Sequence, residues 1–177
     1  MTCVVGLVDS GSVYIGGDSA AASDTGGLAL RADPKVFFLG NHLLVGCSGS
    51  FRLAQLIRFE LLPPPRKKGD TDHAHIVRRI VPAIRKCLAA GGFEEECGGN
   101  LILGYRGRLY ELHCDFDVGR PADPYCAIGS GEPVALGAMY ATVDLGWSPE
   151  ARITTALEAA ERHNAGVAAP FTIEVLS

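Results

Sequence analysis

The chain has 177 residues, of which 47% are hydrophobic and 20% charged, and its formal net charge is −4. This length is ample for a sizeable core, and we expect a single domain over residues 1–177. The acidic balance argues against a general nucleic-acid surface, and no stretch is long enough to span a bilayer.

Two hairpins come first in the predicted order of elements. Residues 2–8 and 12–17 alternate around an Asp-Ser-Gly turn, and residues 35–39 and 42–46 flank a two-residue Gly-Asn turn that tolerates positive φ. We expect both hairpins to belong to one antiparallel sheet.

Two helical stretches follow the hairpins. Apolar residues recur at close to helical spacing over residues 51–62, and three consecutive prolines end this helix. A second helix is predicted over residues 72–90, where a Gly-Gly pair ends it, and Pro82 inside it predicts a kink or a break. The basic run at residues 66–68 is followed closely by two aspartates, so we interpret it as a solvated loop rather than a binding patch.

The second half of the chain again places strands before helices. The predicted elements are a hairpin of residues 101–105 and 108–112, a strand at 125–128, helices at about 133–144 and 149–163, and a closing strand at 171–176. Ser148 is the expected N-cap of the last helix. This pattern alone supports an α+β fold.

The six cysteines are scattered along the chain without a Cys-x-x-Cys pair. This spacing suits reduced thiols better than a disulfide framework or a zinc site. No basic segment precedes the apolar run at the N-terminus, so no signal peptide is expected. We therefore expect a cytoplasmic protein.

Thr2 is the candidate nucleophile. If Met1 is removed, the free α-amine of Thr2, with a pKa near 8, can take the proton of its own hydroxyl. An ammonium group beside that hydroxyl would favour the alkoxide, and Lys35 at the start of an apolar strand can supply it, held charged and oriented by Asp18. The alternatives are a chance threonine at position two and an ordinary strand-end lysine.

Two glycine-containing turns add further candidates. The first contains Ser48 and Gly49 between a strand and a helix, so backbone N–H groups near Gly49 can point at a developing oxyanion. The second places Ser130 between two glycines, also ahead of a helix. The alternative for the first turn is a tight connection that needs glycine in any case.

Other candidate chemistry is weaker. His73 and His75 are two residues apart at a helix start, a spacing that points them to different faces, so we expect solvated side chains rather than a metal pair. His113 and Asp115 suggest a hydrolase triad, but no Gly-x-Ser-x-Gly elbow accompanies them. The Walker pattern is absent, so a separate partner would have to supply energy for unfolding substrates. We predict no metal site and no cofactor.

The order of these candidates resembles a known family. The chain is similar to N-terminal nucleophile hydrolases of the proteasome β-subunit type, and most closely to the bacterial HslV-like peptidases. The similarity runs nearly end to end. It rests on Thr2, Asp18, Lys35, Gly49 and Ser130 in that order, and on the segments Gly46–Leu53, Ala127–Pro133 and Phe171–Glu174.

This resemblance implies a fold and an activity. The fold would be a four-layer αββα sandwich, in which two antiparallel sheets are flanked by pairs of helices. Thr2 would attack the scissile carbonyl of a peptide or unfolded protein, Lys35 and Asp18 would tune its hydroxyl, Gly49 would supply the oxyanion N–H with Ser48 beside it, and Ser130 would steady the amine and a water. The family also implies a homo-oligomeric ring or double ring and a separate AAA+ unfoldase.

The sequence departs from the family at two places. Lys35 lies one residue further from the nucleophile than usual, which predicts an insertion between residues 20 and 31. In the loop after residue 163, Asn164 and Val167 correspond to an aspartate and a serine of proteasome subunits. HslV-like enzymes also lack that acid, and the family's cation site in this loop is not carried over to this chain.

Two further functions are compatible with the sequence. One is a catalytically silent ring or scaffold subunit that retains Met1, so that Thr2 has no free amine. The other is an amidohydrolase of the same fold that acts on a small amide rather than on protein.

Overall fold

The computed structural model describes residues 1–22, 27–93 and 98–177, and its β-strands form two larger antiparallel sheets and a small ribbon. The strands are β1 (Val4–Asp9), β2 (Ser12–Gly17), β3 (Ala20–Ala22), β4 (Leu28–Leu30), β5 (Val36–Leu39), β6 (Leu43–Cys47), β7 (Leu101–Tyr105), β8 (Arg108–Leu112), β9 (Val118–Gly119), β10 (Tyr125–Ile128) and β11 (Thr172–Leu176). One sheet has the order β10-β1-β2-β11 and the other β5-β6-β7-β8-β9, while β3 pairs with β4.

The helices cover the outer faces of the two sheets. They are α1 (Phe51–Glu60), α2 (Asp72–His75), α3 (Val81–Ala90), α4 (Glu132–Ala141) and α5 (Pro149–His163), with a π-helical turn (Ile76–Ile80) between α2 and α3. The buried apolar side chains fall into three groups that correspond to the interfaces of four layers. One group lies between α1–α3 and the five-stranded sheet, one between the sheets, and one between the four-stranded sheet and α4–α5. The four-layer αββα sandwich is therefore confirmed.

Close packing of α5 on its sheet depends on one glycine of β2. A Cβ at Gly16 would lie 2.3 Å from Cγ2 of Ile153, so only a residue without a side chain allows this approach. The antiparallel register pairs Val4 with Gly17, which brings the start of β1 beside the end of β2. Gly17 in turn lies against Val36 at the start of β5. These three strand ends meet at one end of the sandwich.

The expectation that the first two hairpins share a sheet is wrong. The β1–β2 hairpin lies in the four-stranded sheet and the β5–β6 hairpin in the five-stranded sheet. All residues of β6 are buried, as are the first four of β1. Strands covered on both faces do not show the polar alternation of a half-exposed antiparallel sheet, so two sheets packed face to face explain the pattern better than one wide sheet.

The stretch 72–90 is helical throughout, with the expected irregularity near Pro82. A π-helical turn immediately precedes α3, and the Val81 N–H donates to the Ile76 carbonyl five residues earlier. Pro82 has no N–H to donate and its ring crowds the preceding turn, so the wider turn accommodates it without ending the helix.

The other predicted elements agree with the structure within a few residues at their ends. Ser148 caps α5, since its hydroxyl accepts a hydrogen bond from the Ala151 N–H. The strands β3, β4 and β9 were not predicted, because each has only two or three residues. In the described ranges of the chain, no helix has the length and hydropathy that a membrane span needs.

Candidate active site

A buried ion pair lies where the three strand ends meet. Lys35, just before β5, donates from Nζ to Oδ1 of Asp18, just after β2, over 2.6 Å. The Lys35 side chain is 4% exposed and that of Asp18 is fully buried. Removing one partner of such a pair leaves an uncompensated buried charge, which typically costs about 3–5 kcal/mol of stability. The two residues are therefore fixed relative to each other.

The Asp18 carboxylate also binds the backbone of three other segments. Its Oδ1 accepts from the Cys3 N–H over 2.9 Å, and its Oδ2 accepts from the N–H groups of Ala20 over 2.9 Å and Ala168 over 3.3 Å. These bonds connect the start of β1, the start of β3 and the loop after α5. Asp18 thus orients Lys35 and holds the peptide bond that follows Thr2.

Burial lowers the pKa of Lys35 from its ordinary value of 10.5. The charge of Asp18 and its hydrogen bond to Nζ act in the opposite direction, but desolvation of the ammonium is the larger effect. Lys35 therefore loses its proton more readily than an exposed lysine.

Thr2 is held in place by hydrogen bonds to the turn that contains Ser130. The Thr2 N–H donates to Oγ of Ser130 over 3.2 Å, and the Gly131 N–H donates to the Thr2 carbonyl over 3.1 Å. Gly129 has φ of +98°, and a Cβ there would lie 2.4 Å from the Thr2 carbonyl oxygen. Any side chain at position 129 would therefore displace Thr2.

Asn164 completes the hydrogen bonding around Ser130. Its Nδ2 donates to the Ser130 carbonyl over 2.7 Å, and its Oδ1 accepts from the Gly166 N–H over 2.9 Å and from Oγ of Ser130 over 3.4 Å. The amide at this position thus makes contacts with Ser130 without adding a charge. The Val167 side chain is buried in the core beside α5, and its N–H donates to the Asn164 carbonyl over 3.1 Å.

A small pocket opens beside Thr2. Its described lining residues are Thr2, Lys35, Cys47, Gly49, Ser50, Phe51 and Ala54. Gly49 has φ of +88°, and a Cβ there would lie 2.6 Å from the Gly98 carbonyl oxygen. The turn between β6 and α1 therefore places the Gly49 backbone at the pocket that contains Thr2 and Lys35.

Ser48 is placed differently from Gly49. Its hydroxyl donates to the Asn100 carbonyl over 3.2 Å and accepts from the Asn100 N–H over 3.3 Å. These bonds join the end of β6 to the residue before β7, and the Ser48 side chain does not line the pocket. A role of Ser48 in substrate binding stays a prediction.

Met1 lies over the Thr2 end of the site. Its side chain contacts Gly166, where a Cβ would come within 2.1 Å of the Cβ of Met1. With Met1 attached, the Thr2 nitrogen is a peptide amide and Thr2 is only 2% exposed. A basic amine at this position requires the removal of Met1.

A family model described as proteasome subunit matches residues 1–163. The chain belongs to the proteasome subunit family. The resemblance based on the order of Thr2, Asp18, Lys35, Gly49 and Ser130 is thus confirmed at the level of the family.

Solved structures of this proteasome-type class share its fold. BPH from Thiobacillus denitrificans in complex with epoxomicin superposes with a TM-score of 0.81 at 20% identity, covering 99% of this chain and 100% of the other. Eukaryotic HslV from Trypanosoma brucei gives 0.74 at 20% identity with 99% of both chains covered. Anbu from Yersinia bercovieri gives 0.73 at 15% identity, covering 99% of this chain and 81% of that one. A search of curated proteins found no match.

Neither the histidine pair nor the cysteine beside Thr2 offers competing chemistry in this proteasome family chain. His75 is buried against the ring of Tyr105 at 5.3 Å, so the expectation of a solvated side chain is wrong for it, because the helix start packs on the sheet. His73 stacks on Tyr110 at 6.0 Å. No group of three or more potential metal ligands occurs among the described residues. Burial raises the pKa of Cys3 to about 12, so its thiol stays neutral.

Proposed function

We propose that this chain is a threonine-type peptidase whose nucleophile, Thr2, is exposed by the removal of Met1. The observation that carries this proposal is the pocket in which Thr2, the buried Lys35 and the Gly49 turn meet. Acyl transfer from a peptide bond needs an activated hydroxyl and a donor for the developing oxyanion, and Lys35 and the Gly49 turn lie where they can supply these two functions.

The proposed reaction begins with the hydroxyl of Thr2. The free α-amine takes the hydroxyl proton, and Oγ1 forms a bond to the scissile carbonyl carbon. Charge develops on the carbonyl oxygen, where the Gly49 N–H stabilises it, while the Lys35 ammonium favours the alkoxide of Thr2. The C–N bond then breaks and the leaving amine receives the proton from the α-ammonium. An ester of Thr2 remains.

The second half of the reaction releases the acyl group. The α-amine takes a proton from a water molecule, whose oxygen attacks the ester, and the proton returns to Oγ1 of Thr2. The contact between Ser130 and the Thr2 nitrogen, at 3.2 Å, supports a role for Ser130 in orienting that amine. Asn164 holds Ser130 in turn.

The assembly and substrates are part of the same proposal. Following the family, we propose a single-domain cytoplasmic subunit of a homo-oligomeric ring or double ring that cleaves peptides or unfolded proteins. A separate AAA+ unfoldase would deliver folded substrates. The related BPH from Thiobacillus denitrificans was solved with epoxomicin, and we propose that this chain reacts with the same compound.

The first test compares Thr2→Ala with Thr2→Ser. Both variants remove a methyl group from a buried position, but only Thr2→Ser keeps a hydroxyl, so the pair separates packing from chemistry. We expect Thr2→Ala to lower peptide hydrolysis by about 10³-fold or more, while Thr2→Ser retains measurable turnover. The measurement is kcat/KM on a mixed peptide substrate set, with thermal unfolding to verify the fold.

Two other outcomes would favour the alternative functions. Hydrolysis by Thr2→Ala at the wild-type rate would remove Thr2 from the mechanism. Retained Met1 and no hydrolysis of any peptide would favour a silent scaffold subunit. Thr2-dependent hydrolysis of small amides without peptide cleavage would favour an amidohydrolase.

A further inference from the structure

We propose that the pocket beside Thr2 selects an alanine-sized, uncharged side chain on the residue whose carbonyl is attacked. This inference rests on the proposed peptidase function and adds a substrate preference to it. The pocket is lined by described residues that include Thr2, Cys47, Gly49, Phe51 and Ala54.

The position of the pocket determines which substrate residue enters it. The attacked carbonyl carbon must lie within bonding reach of the Thr2 hydroxyl, while its oxygen points toward the Gly49 turn. The Cβ of the same residue is only two bonds from that carbon. A pocket that touches both Thr2 and Gly49 therefore receives the side chain on the acyl side of the cleaved bond.

The size of the pocket favours a small group. The volume open to the centre of a water-sized sphere is ≈ 10 Å³, which is room for about one water molecule. Lys35, Cys47 and Ala54 are all buried among close-packed neighbours, so they cannot move easily to enlarge the pocket. A methyl group fits such a space, whereas an isobutyl or benzyl group would have to displace the wall.

The wall that would have to move is the ring of Phe51. The guanidinium of Arg31 lies 4.2 Å from the centre of this ring, and Nζ of Lys35 lies 5.8 Å from it. Arg31 is itself held by hydrogen bonds to the carboxylate of Asp33. Cations on a ring face stabilise its position, so Phe51 is kept over the pocket.

The charges around the pocket favour a neutral side chain. Among the described residues that line the pocket, the charged one is Lys35, and its ammonium is already paired with Asp18 at 2.6 Å. Arg31 is likewise paired with Asp33. A carboxylate or ammonium on the substrate would lose hydration here, while the charged groups of Lys35 and Arg31 already have partners in the described part of the chain.

The experiment uses fluorogenic peptides that differ only in the residue before the cleaved bond, which is Ala, Leu, Phe, Glu or Lys. We expect kcat/KM for the Ala peptide to exceed that for each of the others by about tenfold or more, since pockets discriminate by about 10–200-fold per misfitting methylene. Equal or faster cleavage of the Leu or Phe peptide would overturn the inference.

The second part of the experiment uses a variant with a wider pocket. Phe51→Ala removes the wall, so we expect the preference to move toward Leu or Phe by at least about tenfold relative to Ala. Phe59→Ala is the matched control, because Phe59 is on the same helix with its side chain 70% exposed and outside the pocket lining. The control should keep the wild-type preference. An unchanged preference in Phe51→Ala would also overturn the inference.

Covalent labelling separates this inference from the proposed function. Two peptide epoxyketones, with Ala or Leu as the residue next to the epoxyketone group, are incubated with the wild-type chain. The rate of adduct formation is followed by intact mass. Faster labelling by the Ala compound supports the inference. Equal labelling by both overturns it and leaves the peptidase proposal in place, whereas labelling by neither removes both.

Discussion

Lys35 is the residue whose chemistry depends most on its surroundings. In water an ammonium group keeps its proton to about pH 10.4. In this chain the side chain is 4% exposed, and burial lowers its pKa although Asp18 lies 2.6 Å away. Lys35 therefore loses its positive charge at a lower pH than an exposed lysine does.

This shift predicts the pH dependence of hydrolysis. Activity should rise with pH toward about 8, because the Thr2 α-amine must be unprotonated to act as a base. It should fall again before pH 10.5, since Lys35 loses its proton below its ordinary value of 10.5 and with it the charge that favours the alkoxide. The measurement is kcat/KM against pH, with circular dichroism at each pH to verify that the chain stays folded. A rate that stays constant up to pH 10.5 would contradict this role of Lys35.

The residues of the site were partly predictable from sequence. Thr2, Lys35 and Asp18 stand out because each supplies a functional group that N-terminal nucleophile chemistry needs. Their contacts were not predictable in the same way. The Ala168 N–H reaches Asp18 from 150 positions away, and Asn164 reaches Ser130 from 34 positions away, so only the folded chain brings them together. Nothing in the local sequence indicates these partners.

At the scale of elements, the turn between β6 and α1 is the segment that connects fold and site. It ends a fully buried strand, places Gly49 at the pocket with Thr2, and begins α1 with the hydroxyl of Ser50 accepting from the Arg52 N–H. Gly49 has φ of +88°, and a Cβ on it would also lie 2.6 Å from the Gly98 carbonyl oxygen. A small residue without Cβ is therefore required on two grounds.

We predict that Gly49→Ala lowers kcat by about 100-fold, because the turn must move and with it the N–H that we propose binds the oxyanion. Gly40→Ala is the matched control. Gly40 also has positive φ, +59°, but a Cβ there meets nothing within 4 Å, and Gly40 is not among the described residues that line the pocket. The measurements are kcat and thermal unfolding for both variants. If both lose activity equally, backbone strain rather than oxyanion geometry explains the effect.

Local periodicity and turn residues predicted most elements. The hairpin around Arg106-Gly107 and the strand at 125–128 match the structure residue for residue. The short strands β3, β4 and β9 could not be predicted, because two or three residues are too few to show the alternation of polar and apolar side chains that is typical of a strand. Pairing with a neighbour, rather than their own sequence, makes them strands.

For the whole molecule, composition and periodicity predict a mixed α and β fold but not its layers. The number of sheets depends on which strand faces are buried. A strand buried on both faces has no alternation of polar and apolar residues, so its sequence does not indicate which element covers each face. For this reason the sequence predicts one sheet for the first two hairpins, whereas the hairpins lie in two different sheets that pack against each other. The four-layer arrangement came from the family resemblance, and the three buried apolar groups of the structure agree with it.

The whole sandwich brings the beginning of the chain to the place where its chemistry is proposed. The start of β1, the end of β2 and the start of β5 meet at one end, and the loop after α5 reaches them through the Ala168 N–H, which donates to Asp18. The free N-terminus of a processed chain would therefore lie beside the Asp18–Lys35 pair. We propose that Thr2 is this N-terminus and is the nucleophile.

Intact mass of the purified protein, measured before and after incubation with a peptide epoxyketone, tests whether Thr2 is the N-terminal nucleophile. We predict a mass that lacks Met1, with one adduct per chain in the wild type and none in Thr2→Ala. An epoxyketone reacts with both the hydroxyl and the free amine of an N-terminal threonine, so one adduct reports both groups. Retained Met1 without an adduct, or an adduct that persists in Thr2→Ala, would mean that Thr2 is not the N-terminal nucleophile.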